Sequence, residues 1–206
     1  MLKVGVLASG GGTNLQAVID AIARGEVPAE IVTVVSNNKS AYALERARTH
    51  GISDTWMPRK KYPEEGAYEA ALIAHFNEKK VDLILTAGFM VILGESFTKA
   101  FPNRIMNIHP ALIPSFCGKG HYGLHVHEAA LAAGVKVTGA TVHFATEEAD
   151  AGPIIIQKAV CVHDDDTAET LQRRVMEEAE WVIFPEAVRL FAEGKLTVRG
   201  NRVLVG

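Results

Sequence analysis

The stretch KVGVLASGGGTNLQAVIDAIARG (3–25) is the part of the sequence from which the fold can be argued. It opens with a short β-branched run, KVGVLA (3–8), which ends in a serine and three glycines. The apolar residues that follow recur at helical spacing: Leu15, Val18, Ile19 and Ile22. Gly25 marks the place where such a helix stops. A strand, a glycine turn and an amphipathic helix in this order predict the first unit of an α/β fold.

Beyond residue 25, apolar runs continue to alternate with helical segments. The predicted strands are 30–37, 52–57, 81–88 and 104–109, and the predicted helices are 43–51 and 63–80. Continuous apolar strands separated by helices are typical of a parallel sheet that is covered on both faces. We therefore predict a doubly wound, Rossmann-like α/β fold.

The second half of the chain follows a different pattern. Two long strands, 135–146 and 153–162, are separated by a loop alone, which predicts an antiparallel extension of the sheet. A long helical stretch, 167–195, contains Pro185, where we expect a bend or break. A hairpin over 196–205 closes the chain.

Composition limits the possible classes of protein. The chain has 206 residues, of which 48% are hydrophobic, and this suits one globular α/β domain over 1–206. A net charge of −3 gives no reason to expect nucleic acid or a membrane as partner. Without a secretory pattern, and with Cys117 and Cys161 far apart, we expect a cytoplasmic protein with reduced thiols. The sequence does not choose between a monomer and a homodimer.

The glycine turn after the first strand predicts an anion site. Glycines allow a ligand to approach the backbone closely, and the N–H groups at a helix start favour a phosphate. The alternative is a plain tight turn with Thr13 as helix cap. The turn lacks the Gly-Lys-Ser/Thr of a P-loop, and Leu15 occupies the third glycine position of the dinucleotide fingerprint. With no carboxylate in Ser36–Asn38 for a ribose, a phosphomonoester is favoured over a dinucleotide.

The strand IMNIHP (105–110) ends in two polar residues on one face. Asn107 and His109 are two apart, so their side chains leave the strand on the same side, and Pro110 favours an extended His109. An amide and a protonated imidazole together suit a developing oxyanion. Asp150, in the loop between the two long strands, is the candidate carboxylate that keeps His109 charged. The alternatives are a strand-end cap, a buried structural histidine and a surface acid.

The remaining histidines give weaker signals. His125 and His127 are two apart at a helix start, and Gly123 argues against a helix that would pair His121 with His125. We therefore expect no metal site. His143 faces the same side of its strand as Thr141, and we expect it to support the cleft.

Five motifs in order along the chain resemble the phosphoribosylglycinamide formyltransferase family. They are VLASGGGTNLQA (6–17), LTAGFMVIL (85–93), MNIHPALIPSF (106–116), GATVHF (139–144) and DAGPIIIQ (150–157). The resemblance implies the formyltransferase fold and transfer of a formyl group from 10-formyltetrahydrofolate to the amine of glycinamide ribonucleotide. It implies two small-molecule substrates, no metal, and a place in purine biosynthesis.

The resemblance also implies roles for individual residues. Residues 1–100 would form the phosphate-binding half and 101–206 the catalytic and folate-binding half. The implied catalytic residues are Asn107, His109 and Asp150. The implied ribonucleotide contacts are Gly11, Gly12, Thr13, Asn14 and Glu180. The implied folate contacts are Met90, Val91, Ile92, Leu93, Asn107, Ala145, Thr146, Glu147 and Asp150.

The sequence departs from the family pattern in three places. A loop, CGKGHYG (117–123), follows ALIPSF where many relatives pass directly into Gly-Leu-His. Val91 stands where a familiar relative has arginine. One extra residue is needed between Thr167 and Glu180 to align the two segments.

Other classes of protein remain to be weighed against this one. Methionyl-tRNA formyltransferase and formyltetrahydrofolate deformylase resemble the same core but carry added domains for which we see no counterpart. A non-catalytic nucleotide-binding module would need only the glycine turn, and fold alone does not settle function. An NAD-dependent oxidoreductase is disfavoured by the incomplete fingerprint.

Overall fold

The computed structural model describes residues 1–206, which cluster into two compact units, Met1–Met106 and Asn107–Gly206. No helix in it has the length and apolar character that crossing a membrane requires. The two units are described in turn.

The first unit is built on parallel strands with helices between them. Its strands are β1 (Leu2–Leu7), β2 (Ala29–Ser36), β3 (Asp54–Trp56) and β4 (Leu83–Thr86), in the order β3-β2-β1-β4. Its helices are α1 (Thr13–Ala23), α2 (Tyr42–Thr49), α3 (Ala67–Glu78) and α4 (Glu95–Ala100), with a 3-10 turn at Arg59–Lys61. All three strand pairs are parallel. Their buried β-branched and leucine side chains form the core against these helices.

Strand β5 (Ile105–His109) carries the chain from the first unit into the second. At its start the Ile84 N–H donates to the carbonyl of Arg104 over 2.8 Å, and the Thr86 hydroxyl donates to the carbonyl of Met106 over 3.3 Å. These bonds fix the beginning of β5 beside β4. The polar pair Asn107 and His109 falls on the far end of the strand, in the second unit.

The second unit contains the antiparallel part of the fold. Its further strands are β6 (Val137–Phe144), β7 (Ile154–Cys161), β8 (Leu196–Arg199) and β9 (Arg202–Val205). The pairs β6–β7 and β8–β9 are antiparallel, and β7 meets β9 in parallel. The helices are α5 (Leu124–Ala132), α6 (Ala168–Val175) and α7 (Trp181–Ala192), and a π turn, Met176–Glu180, joins α6 to α7.

The prediction of an α/β fold with mostly parallel strands and an antiparallel C-terminal extension is confirmed. The predicted bend or break at Pro185 is not a break, because Pro185 lies inside α7, and the α-helical pattern is interrupted instead by the π turn that precedes this helix. The cap of α1 also differs from the alternative with Thr13. The N-cap is Gly12, in a left-handed conformation with φ 68°, and Thr13 is the first helical residue. Glycine adopts this conformation without the steric cost that a Cβ would bring.

Candidate active site

His109 is held at the end of β5 by the loop that follows it. The side chain is buried, and its Nε2 lies 2.8 Å from the carbonyl oxygen of Phe116. Since a carbonyl can only accept, Nε2 carries the proton in this bond. The other ring nitrogen, Nδ1, lies 3.6 Å from the Oδ2 of Asp150. The imidazole is therefore fixed between a backbone acceptor and a carboxylate.

Asp150 reaches this position on a tight loop between β6 and β7. Its backbone is left-handed, with φ 56°, which is uncommon for a residue with a side chain and is often found at functional sites. Its Oδ2 accepts from the N–H of Gly118 over 2.9 Å. Gly152 permits the return of the chain, because a Cβ there would lie 1.8 Å from the carbonyl oxygen of Phe144. The loop thus presents one carboxylate to His109.

His143 orients the amide of Asn107. The Nδ1 of His143 lies 3.0 Å from the carbonyl oxygen of Phe144, so this nitrogen is the donor and Nε2 has the lone pair. The Nδ2 of Asn107 donates to that Nε2 over 3.1 Å and to the Oδ1 of Asp150 over a longer 3.4 Å. The tautomer and the amide orientation follow from this network of bonds. Asn107, His109, His143 and Asp150 therefore form one connected cluster in the second unit.

Burial controls the charges in this cluster. It lowers the pKa of His109 below the usual histidine value, and the opposing effects of Asp150 and the Phe116 carbonyl do not cancel it. Burial alone would raise the pKa of Asp150, but the polar groups around it, among them the N–H of Gly118, hold this pKa below its usual value. Burial and Asp150 therefore act on the charge of His109 in opposite directions, and the role of Asp150 in keeping His109 charged stays a prediction.

Sequence reasoning missed the contacts that hold the loop after β5. The Thr141 hydroxyl donates to the carbonyl of Ala111 over 2.7 Å and accepts from the N–H of Ile113 over 3.1 Å. Gln157 donates to the carbonyl of Ile113 over 2.9 Å. Thr141 and Gln157 face the same way from neighbouring antiparallel strands. This pair of polar side chains was the signal in the sequence from which the contacts could have been predicted. They fix the path of the chain toward Phe116 and Gly118, the residues that bind His109 and Asp150.

His127, on α5, is also close to the cluster but is not part of its hydrogen bonds. It is completely buried, and neither of its ring nitrogens has a protein hydrogen-bond partner. Burial, with a smaller contribution from His109, lowers the pKa of His127 to about 4. No group of three or more His, Cys, Asp or Glu side chains in the chain is arranged to hold a metal ion.

In the first unit, α2 shapes the glycine loop between β1 and α1. The carbonyl of Gly10 accepts from the Ala43 N–H over 3.1 Å, and the carbonyl of Gly11 accepts from the Nε of Arg46 over 2.8 Å. A Cβ at Gly12 would lie 2.8 Å from that of Ala43. These contacts turn the loop carbonyls toward α2 at the start of α1, a position where backbone N–H groups bind anions favourably.

A segment of exposed apolar side chains follows β4. Met90 is 54% exposed and Ile92 is 73% exposed, so the loop after β4 presents two large apolar side chains to solvent. Ser9 ties this segment to the glycine loop, since its hydroxyl accepts from the Met90 N–H over 2.8 Å and donates to the Oδ1 of Asn37 over 2.6 Å. Sequence reasoning did not single out Ser9 or Arg46.

The other predicted contacts lie in the second unit. Glu180 is the last residue of the π turn, and its side chain is buried, with 6% of the residue exposed. The π turn packs against β6 and β7. Ala145 is half-buried, while Thr146 and Glu147 are exposed on the loop that carries Asp150.

Comparison with known proteins identifies the family. The formyl transferase family model matches residues 2–188 of the chain. This chain belongs to the formyl transferase family. The phosphoribosylglycinamide formyltransferase of Haemophilus influenzae is 39% identical to this formyl transferase over 201 residues, which cover 98% of this chain and 92% of that protein. The resemblance that the motifs predicted is therefore confirmed.

Two further relatives define the extent of the match. The crystal structure of glycinamide ribonucleotide transformylase 1 from Symbiobacterium toebii superposes with a TM-score of 0.94 at 47% identity, and the match covers 100% of this formyl transferase and 94% of that chain. The trifunctional purine biosynthetic protein adenosine-3 of Gallus gallus is 45% identical over 197 residues. That match covers 96% of this chain but 19% of the trifunctional protein. The formyl transferase thus spans nearly all of the bacterial relatives and about one fifth of the trifunctional protein.

Proposed function

We propose that this formyl transferase moves the formyl group of 10-formyltetrahydrofolate to the amine of glycinamide ribonucleotide in purine biosynthesis. The products are formylglycinamide ribonucleotide and tetrahydrofolate. The observation that carries the proposal is the connected cluster of Asn107, His109, His143 and Asp150, which combines a fixed amide donor, an imidazole and a carboxylate. Relatives that match over almost their whole length bear the name of this activity.

The cluster supplies what formyl transfer requires. Attack of the amine nitrogen on the formyl carbon moves negative charge onto the formyl oxygen. The N–H of Asn107 that makes the weak 3.4 Å contact with Asp150 turns to this oxygen, while the 3.1 Å bond to His143 keeps the amide in place. The proton that the amine releases is held by the pair of His109 and Asp150, so that the pair places positive charge on His109 while the formyl oxygen is negative.

One proton has to move for the reaction to balance. The amine loses a proton when the new C–N bond forms, and N10 of the folate gains one when the old C–N bond breaks. Asp150 has a lowered pKa and so draws the proton off the amine, directly or through water, and the pair of Asp150 and His109 passes the same proton to N10 when the old C–N bond breaks. His109 lies beside it as the partner that shares the charge.

The glycine loop is the proposed site of the ribonucleotide phosphate. The N–H groups of Gly11 and Gly12 and the start of α1, with Thr13 and Asn14, are suited to a phosphomonoester. Arg46 adds a positive charge and holds the loop through the Gly11 carbonyl.

The folate contacts are proposed on both exposed and half-buried residues. The pterin contacts the segment after β4, whose exposed apolar side chains otherwise lack a reason to face solvent. The proposed contacts in this segment are Met90, Val91, Ile92 and Leu93. The proposed contacts from the Asp150 loop are Ala145, Thr146 and Glu147.

We also propose that residues 1–206 act as one formyl transferase domain on small molecules in the cytoplasm. The free thiols of Cys117 and Cys161 support this location, since thiols remain reduced there.

The activity is tested with purified protein, glycinamide ribonucleotide and 10-formyltetrahydrofolate, by following the absorbance of the folate. We expect turnover only when both substrates are present. Consumption of the folate without the ribonucleotide would identify a hydrolase instead, and no consumption in either case would refute the assignment.

The catalytic cluster is tested with Asn107→Ala and Asp150→Asn. Each variant removes an interaction with developing charge, so kcat should fall by roughly 100- to 1,000-fold. Glu148→Gln is the matched control, because Glu148 is an exposed acid on the same loop, and its kcat should stay near that of the parent. Parental turnover of a folded Asp150→Asn protein would show that Asp150 has no catalytic role.

A further inference from the structure

Helices α6 and α7 are joined by a π turn instead of a loop. The buried residues of α6 are Leu171 and Val175, and those of α7 include Ile183, Phe184, Ala187 and Val188. Between them, Ala179 is completely buried and Glu180 is nearly so. The Trp181 N–H reaches back to the carbonyl of Met176, which is the five-residue spacing of a π turn.

Leu171, Val175 and Glu180 can all be buried only if one turn of the helix between them contains an extra residue. In an uninterrupted α-helix, Val175 would lie about 140° and Leu171 about 180° around the axis from Glu180. Glu180 would then point to solvent whenever the apolar residues of α6 are buried. One π turn removes a residue from the helical phase, so that Glu180 follows Val175 as if it were four residues away instead of five. All three side chains then face the interior.

Both ends of this segment are anchored. The first turn of α6 has a capping box between Thr167 and Thr170. Asp166, whose side chain is 2% exposed, accepts two bonds from Arg174 over 2.5 and 2.6 Å, and Arg174 also donates to the carbonyl of Cys161 at the end of β7. These bonds prevent α6 from rotating about its axis, and the apolar core fixes α7. An additional residue between them has to be absorbed in the connecting turn.

The π turn ends at the buried Glu180, and turns of this kind inside helices are frequent at functional sites.

We propose that the π turn Met176–Glu180 is a positioning element of the ribonucleotide site, which keeps Glu180 on the buried face of the helix. The proposal rests on the proposed function and on the role of Glu180 as a contact of the ribonucleotide, which the resemblance to the family implies. The turn packs against β6, the strand that carries His143, and against β7, so the phase of the helix determines whether this carboxylate reaches the interior beside those strands.

Four variants test the proposal. The first deletes Glu178, an exposed residue of the turn, which leaves Val175 and Glu180 four residues apart in a regular α-helix. The second inserts one alanine between Glu177 and Glu178, which a single π turn cannot absorb. The third inserts one alanine between Gly200 and Asn201, in the exposed turn between β8 and β9, as the control of equal length away from both anchors. The fourth is Glu180→Gln, made in the parent and in the deletion variant.

The measurements are kcat, the KM of each substrate and the melting temperature. We expect Glu180→Gln to raise the KM of the ribonucleotide by about 10- to 100-fold, since it weakens a charge-assisted hydrogen bond, and to leave the KM of the folate unchanged. The deletion and the control insertion should each keep both KM values within about threefold of the parent, because neither moves Glu180 to another face. The alanine insertion in the π turn should raise the KM of the ribonucleotide at least as much as Glu180→Gln.

Each other outcome refutes a particular step. If Glu180→Gln has no effect in the parent, Glu180 does not contact the ribonucleotide, and the positioning role is lost with it. If the deletion raises the KM of the ribonucleotide as much as Glu180→Gln does, or if Glu180→Gln costs nothing in the deletion variant, helix phase is not what places the carboxylate. Should the insertion variant fail to fold, these comparisons in the deletion variant still decide the question. Formyl transfer by the parent tests the function independently.

Discussion

Replacement of His127 with leucine should remove a large part of the acid sensitivity of the fold. His127 is completely buried, and its ring nitrogens have no protein partner. Burial lowers the pKa of His127 from 6.5 to about 4. Protonation therefore favours the unfolded chain, in which the same side chain takes up a proton at its ordinary pKa. The free energy of unfolding is therefore undiminished by His127 above pH 6.5, and it decreases as the pH falls from 6.5 toward 4.

The size of the effect follows from these two values. Between pH 7.5 and pH 5.0, a histidine whose pKa is 6.5 unfolded and about 4 folded costs about 2 kcal/mol of unfolding free energy. For a chain of this length, that loss corresponds to roughly 4–8 °C in the melting temperature. Burial also lowers the pKa of His109 and of His75, so the parent should lose more than this in total. The difference between the parent and the variant isolates His127.

The assay is urea unfolding of the parent and of His127→Leu at pH 7.5 and pH 5.0, with thermal melting as a second measurement. At pH 7.5 the variant should be as stable as the parent or more so, because leucine removes two unpaired polar atoms from the interior. At pH 5.0 the variant should retain about 2 kcal/mol more of its stability than the parent does. An equal loss in both proteins would refute the argument, since it would mean that His127 does not titrate between the folded and unfolded states.

The two remaining predictions concern the loops of the site. Gly152→Ala places a Cβ 1.8 Å from the carbonyl oxygen of Phe144, so the Asp150 loop must move. We expect kcat to fall at least roughly tenfold. An unchanged kcat would show that the loop tolerates another path. Arg46→Ala removes the donor to the Gly11 carbonyl and should raise the KM of the ribonucleotide several-fold. The control Arg48→Ala removes an exposed arginine from the same helix and should leave this KM unchanged. Equal KM values for the two variants would exclude Arg46 from the phosphate site.

Several features of the fold could be predicted because they depend on local pattern. The apolar runs and their helical or alternating spacing located β1, α1, β4 and β5 to within a few residues. The loop of a few residues between two long strands required β6 and β7 to be antiparallel. Each of these inferences uses residues that are close in sequence.

The sequence predicted which residues form the site but not the hydrogen bonds that join them. A period of two along β5 put Asn107 and His109 on one face, and the motif pattern added Asp150. The sequence did not reveal that the Phe116 carbonyl and the Gly118 N–H bind these residues, or that His143 directs the amide of Asn107. Such bonds join residues that are far apart along the chain, and their geometry depends on how the loops return to the strand.

The sequence by itself determined the order of strands and helices, the glycine loop and the polar end of β5, because hydrophobic period and glycine content act within a few residues. Tertiary structure alone decided the direction in which the pKa of His109 moves and the face on which Glu180 lies. The first depends on desolvation, which every surrounding element contributes and which here outweighs one nearby carboxylate. The second depends on helix phase, which two distant anchors fix and which the π turn adjusts by one residue between them.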